Sequence, residues 1–133
     1  MSLSNQIKII ERRLINDDRG WFLKAITGTE ENIPVVTGEV YLTMAKSGQA
    51  KGGHYHPKAI EWFTLIQGKA TLLLEDVVTH EKMQLKLSFD SPQTIFVPNN
   101  VAHIFINEHE EDFILLAYTD QIYDPKDTVN YLL

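Results

Sequence analysis

Two histidines one residue apart, His54 and His56, are followed by Glu61, and a third histidine, His103, stands at the head of a separate apolar run. On a β-strand, residues i and i+2 project from the same face, so both imidazoles of His54-Tyr55-His56 reach one point inside a barrel. A carboxylate from the next strand, Glu61, completes a facial set of nitrogen, nitrogen and oxygen donors, and His103 is placed to supply a fourth ligand from another strand. Such a set suits Zn, Fe, Mn, Ni or Co, and residue types alone do not choose among them. The chain has no cysteine, which excludes disulfides and thiolate sites and leaves imidazole, carboxylate or water to hold any metal. The remaining histidines, His80 and His109, sit among Thr79, Glu81, Glu108 and Glu110 and read as solvated loop residues.

The elements that must position these side chains are short and apolar with period two. The runs are Ile7–Ile10, Trp21–Ile26, Val40–Met44, Trp62–Ile66, Ala70–Leu74, Met83–Phe89, Thr94–Val97, His103–Ile106 and Phe113–Tyr118. Turn chemistry separates them at Asp17-Asp18-Arg19-Gly20, Lys51-Gly52-Gly53, Gln67-Gly68, Asp90-Ser91-Pro92 and Pro98-Asn99-Asn100. Many short strands at this spacing point to a sandwich, jelly roll or barrel. No window sustains a helical apolar stripe, and only the tail after Pro125 has room for a helical turn. With 133 residues, no internal repeat and no Pro, Gly or Ser-rich linker, one domain over residues 1–133 is expected. Met1-Ser2-Leu3 is given no structural weight. Runs such as Phe113-Ile114-Leu115-Leu116 and Thr71-Leu72-Leu73-Leu74 are apolar on both faces, and an outward apolar face needs a cover, for which a homodimer is the economical answer.

Twelve basic and eighteen acidic residues give a net charge of −6, and no Lys/Arg-rich segment offers the surface that nucleic acid requires. A small anionic substrate remains compatible, since a few local cations make a positive pocket on an acidic protein. No stretch approaches the roughly 20 consecutive apolar residues of a membrane span. A basic start followed by an apolar run is also missing, so a soluble cytoplasmic protein is expected.

The segment from Gly48 to Gly68 holds Gly48, His54, His56, Glu61 and Gly68 at the spacing of the first motif of the cupin superfamily, and Pro98 to Asn107 resembles the second. The resemblance implies an all-β double-stranded β-helix, the cupin jelly-roll barrel. It also implies one divalent metal ion (Zn, Ni, Mn or Fe) on His54, His56, Glu61 and His103, although some cupins keep the histidines and work without metal. Two positions depart from the second motif. Asn100 replaces its usual glycine, a mild exchange because Asn tolerates the left-handed conformation, and Pro92 stands at the upstream glycine.

Other residues narrow the chemistry. Asp18-Arg19-Gly20-Trp21-Phe22 resembles the Asp-x-Arg-Gly-x-Phe signature of the dTDP-4-dehydrorhamnose 3,5-epimerase family, as do Lys51-Gly52-Gly53-His54-Tyr55 and the closing Leu115 to Pro125 segment. The chain is equally similar to the cupin domain of bifunctional capsular-polysaccharide sugar reductase/epimerases, through its basic-Gly-x-His-aromatic-His segment, Glu61, Asp124-Pro125 and Thr128-Val129-Asn130-Tyr131. Both resemblances imply an epimerase or isomerase of a nucleotide-activated keto sugar in surface-polysaccharide synthesis. The rhamnose-type enzymes contribute an aspartate beyond the point where this sequence stops, so their His-Asp dyad is not carried over. They also lack the second histidine and the glutamate, and need no metal. In such chemistry a base removes the proton alpha to a ketone while a cation, donor or metal stabilises the enolate oxygen. His54 is either ligand or base, not both at one moment, and Tyr55, Tyr118 or Tyr123 is expected to return the proton on the opposite face. Arg19 and Lys51 are assigned to the diphosphate. Trp62, like Trp21, is either a substrate platform or packing. Two other classes fit the same barrel: a metal-dependent oxygenase, which takes up oxygen, and a non-catalytic sugar-binding cupin.

Overall fold

The computed structural model describes residues 1–36 and 38–133. A short helix, α1 (Leu3–Gln6), precedes strands β1 (Lys8–Glu11), β2 (Leu14–Asp17), β3 (Gly20–Leu23), β4 (Val40–Ala45), β5 (Ala50–Tyr55) and β6 (Glu61–Gln67). There follow β7 (Lys69–Asp76), β8 (Lys82–Ser88), β9 (Gln93–Val97), β10 (Val101–Ile106), β11 (Phe113–Thr119) and, after a 3-10 turn at Pro125–Asp127, β12 (Val129–Asn130). One five-stranded sheet runs β1-β9-β6-β11-β4, the other β12-β5-β10-β7-β8, and β2 and β3 form a separate hairpin. The interleaved order, with antiparallel pairings, is the jelly-roll arrangement expected from the strand spacing. No helix among the described residues is long and apolar enough to cross a membrane.

The core lies between the two sheets, where Phe63, Leu65, Ile95 and Leu115 of one face Leu72, Leu74 and Phe105 of the other. Leu3, given no weight in the sequence, is 1% exposed and belongs to this core. The outward apolar face is covered in part by the chain itself. Trp62, Phe96 and Tyr118 form a second cluster beneath Ile26, Ile33 and Ile60. The segment carrying Ile26 and Ile33 is held by Glu30, whose carboxylate accepts from the backbone N–H groups of Thr27 (2.9 Å) and Gly28 (2.8 Å) and pairs with Arg12. Arg12 in turn donates from Nε to Thr94 Oγ1 on β9 at 2.9 Å.

Burial by itself raises the Glu30 carboxyl, but the Thr27 and Arg12 hydrogen bonds prevail and hold it down from 4.5 to about 2. A carboxylate depressed in the folded state contributes stability that is present above its unfolded pKa and is lost as pH falls through its folded one. Melting of the wild-type chain is therefore expected to lose up to about 3 kcal/mol between roughly pH 4.5 and pH 2, and Glu30→Gln to flatten that limb. An unchanged acid limb in the variant would show that this carboxylate is not the anchor.

Two local conformations set the site's strand. The Lys51-Gly52-Gly53 stretch reads as a turn, yet it lies within β5, with Gly52 at φ +103° and Gly53 at φ +80°. A Cβ on Gly52 would lie 2.6 Å from the His103 carbonyl oxygen, so the close approach of β5 to β10 requires glycine here. Their register slips between His103 and Ile104 as a result of this irregularity. Asn100 adopts φ +61°, the left-handed conformation expected where the motif has glycine.

Candidate active site

His54 and His103 are directly opposed on β5 and β10, His56 follows the end of β5, and Glu61 opens β6 on the other sheet. The ligand atoms of His54, His56 and His103 all lie within 4.8 Å of one another. Glu61 Oε1 is 3.0 Å from His56 Nε2 and 3.5 Å from His103 Nε2. Its other oxygen, Oε2, accepts from the Tyr41 hydroxyl at 3.0 Å. The four residues expected to meet across three strands thus do meet.

Two imidazoles are oriented by carbonyl oxygens, which only accept. His56 Nδ1 donates to Asp127 O at 2.8 Å and His103 Nδ1 to Val101 O at 3.1 Å. Each ring therefore presents Nε2 toward Glu61. Oε1 of Glu61 is buried and has no aligned hydrogen-bond donor among the described residues. Burial, reinforced by the charges of His103 and His56, lowers His54 to about 4, so it is neutral near pH 7 with a lone pair available. His103 is likewise pushed down by burial. His56 goes the other way, because the Glu61 carboxylate and the Asp127 carbonyl outweigh the effect of burial. Burial works to raise Glu61, but His56, His103 and the Tyr41 phenol hold it below the ordinary carboxylate range. Tyr41 is raised by burial and by the neighbouring Glu61 charge.

His54 and His56 open onto a cavity of about 520 Å³ whose wall also includes Tyr41, Glu61, Tyr123 and Asp124. A narrower slot of about 270 Å³ passes between β4 and β5, with Lys51 on one side, Thr43 on the other, and His54 and His103 within. Tyr41 and His54 border both spaces.

Of the other expected residues, Tyr123 reaches the main cavity and Lys51 the slot. Four stand elsewhere. Trp62, 1% exposed, alternates with Glu61 on β6 and so faces outward into the second cluster, which makes it packing and not a substrate platform. Tyr118 pairs with Trp62 across β11 and stacks on it with centroids 5.4 Å apart, away from the histidines. Tyr55 points to the opposite face from His54 and meets the Tyr131 ring edge-on at 5.9 Å. Arg19 sits at the tip of the β2–β3 hairpin, its side chain 90% exposed and paired with Asp17 at 2.6 Å. It lines a separate groove with Trp21 and Phe22.

Two site residues escaped the sequence reading. In β4 the apolar residues Val40, Leu42 and Met44 share one exposed face, whereas Tyr41, 40% exposed, lies across from inward Ala117, lines the cavity and reaches Glu61. Alternation shows which residues share a face but leaves open which face is inside. Asp127 sits behind an Asp-Pro turn with no spacing signal to mark it.

The family model for the polysaccharide biosynthesis C-terminal domain matches residues 15–131. The spore coat polysaccharide biosynthesis protein SpsL of Bacillus subtilis is 24% identical over 124 residues, 90% of this chain and 82% of its own. The fold is similar to that of the dTDP-6-deoxy-D-glucose-3,5-epimerase RmlC from Legionella pneumophila, solved in complex with dTDP-4-keto-L-rhamnose. Its TM-score is 0.84 at 16% identity, covering 97% of this chain and 74% of RmlC. It is similar too to the capsular polysaccharide assembling protein CapF from Staphylococcus aureus, with TM-score 0.69 and 24% identity over 92% of this chain, which spans only 33% of CapF.

Proposed function

Because the chain belongs to the polysaccharide biosynthesis C-terminal domain family and has the cupin fold, we propose that it binds one divalent metal ion and epimerises or isomerises a nucleotide-activated keto sugar. The observation that carries the proposal is the buried Glu61 Oε1, which faces Nε2 of His56 and His103 without an aligned hydrogen-bond donor, among three imidazoles, two of which have Nδ1–H tied to backbone carbonyls. A buried carboxylate oxygen without a donor is costly unless a cation is meant to meet it. Histidines whose second nitrogen is held by a carbonyl are the usual form of metal ligands. The donor set of His54, His56, His103 and Glu61 fits Zn, Ni, Mn or Fe.

When bound, the metal supplies Lewis-acid polarisation of the substrate's ketone oxygen. Tyr41 holds Glu61 Oε2, leaving Oε1 directed at the imidazoles. The exposed Tyr123 phenol at the cavity wall is assigned the return of a proton to carbon. Lys51, beside His54 in the slot, is assigned the diphosphate charge. A second reading draws on the 3.0 Å His56–Glu61 contact, which also suits an imidazolium–carboxylate pair without metal. In that reading neutral His54 is the base. Incubation in heavy water with dTDP- and UDP-linked 4-keto sugars tests the reaction, and deuterium at the carbon beside the ketone is expected. Saturable binding with no exchange for any of them would leave a binding protein instead, and oxygen uptake would favour an oxygenase.

A cytoplasmic homodimer is part of the same proposal. Edge strand β4 presents Val40 and Leu42 at 61% and 62% exposure, an apolar strip that no other part of the described chain covers. Sedimentation equilibrium is expected to give a dimer for the wild type and a monomer for Leu42→Lys. A monomeric wild type refutes the pairing.

A further inference from the structure

The strand that carries His54 and leads into His56 is weakly built. Gly52 and Gly53 sit within β5, its register with β10 slips at His103, and its other edge is paired only by the two residues of β12. What steadies it is the segment from Asp124 to Tyr131. The Asp127 carboxylate, in a residue 7% exposed, accepts from the backbone N–H groups of Lys58 (2.8 Å) and Ala59 (3.0 Å). These residues lie in the connection between His56 and Glu61. The carbonyl of the same residue accepts from His56 Nδ1 at 2.8 Å. Beyond it, Val129 and Asn130 pair with Tyr55 and His54, and Tyr131 N–H donates to Gly53 O at 2.9 Å. The far end is fastened by the Tyr131 hydroxyl, which donates to Glu75 on β7.

We infer that Asp127 is a positioning residue: its carboxylate fastens the His56–Glu61 connection, its carbonyl orients the His56 ring, and the strap it belongs to, locked by Tyr131, holds β5 against the site. The chain's C-terminal segment thereby sets the geometry of the candidate ligands, and its Asp124, Asp127 and Thr128 also line the main cavity. Only the affinity part of the test rests on the proposed metal site. The carbonyl survives any substitution at position 127, so the inference predicts that loss of the carboxylate disorders His56 through displacement of the backbone.

The test uses the full chain, 15N-labelled and metal-free, with circular dichroism and melting to verify folding. Wild type is expected to show a slowly exchanging His56 Nδ1–H proton in long-range 1H–15N spectra. Asp127→Ala is expected to lose that signal, Asp127→Asn to retain part of it, and zinc ions alone to bind the alanine variant about 10- to 100-fold more weakly. Tyr131→Phe, which removes one hydroxyl outside the site, is expected to broaden the same His56 signal, and it carries the test if Asp127→Ala does not fold. An unchanged His56 signal in a folded Asp127→Ala chain, or in Tyr131→Phe should the alanine variant not fold, overturns the inference. If wild type takes up no zinc, the metal reading fails while the His56 signal still decides the role of Asp127.

Discussion

His54→Asn is expected to lower deuterium exchange into a nucleotide-linked 4-keto sugar by about 10²- to 10⁴-fold, the range associated with loss of a positioned acid–base or metal-bound group. The expectation holds in both readings of the site. As a ligand, His54 completes the cluster with His56 and His103, and as a free base it is the neutral imidazole, lowered to about 4, that borders both the main cavity and the slot. The pH profile separates the two roles. A free base of this kind loses activity only as pH falls toward 4, because it stays unprotonated above that value. Exchange at wild-type rate in a folded His54→Asn chain would remove this histidine from the chemistry altogether.

The second large effect is on metal content. Plasma mass spectrometry of untagged protein is expected to find about one divalent ion per chain, falling to background in the His54→Ala/His56→Ala double variant, since two of the four donors are then gone. Glu61→Gln is the sharper probe. It leaves three imidazoles but replaces the charged oxygen that sits 3.0 Å and 3.5 Å from two of them, so occupancy is expected to fall by at least about 10-fold. Unchanged metal in Glu61→Gln would limit the site to its histidines. Metal-free wild type even after reconstitution would select the reading in which His54 is the base and His56 pairs with Glu61.

Much of the barrel was legible because its signals are local. Period-two runs separated by Gly, Pro and Asn mark most strands, and the positive φ of Asn100 follows from a residue type that accepts the left-handed conformation more readily than most. The missed elements have physical explanations. Strand β5 contains glycines that suggest a turn until the His103 carbonyl is seen pressing against Gly52. The outward apolar faces suggested a partner, but part of that surface is closed by the chain's own Ile26 and Ile33, anchored through Glu30. The strip of Val40 and Leu42 on β4 stays exposed among the described residues.

By itself, then, the sequence determined that His54 and His56 share a face, that Glu61 and His103 are spaced to join them from other strands, and that no thiolate takes part. These follow from strand periodicity and composition, which act over a few residues. The tertiary structure decided which tyrosines face the site, excluding Tyr118 and Tyr55 and admitting Tyr41 and Tyr123. It also set apart Arg19, packed Trp62 away, and brought Asp127 against His56 across 71 residues of chain. The reason is that alternation groups side chains by face without saying which face is inward, and contacts between distant segments exist only once the two sheets have closed.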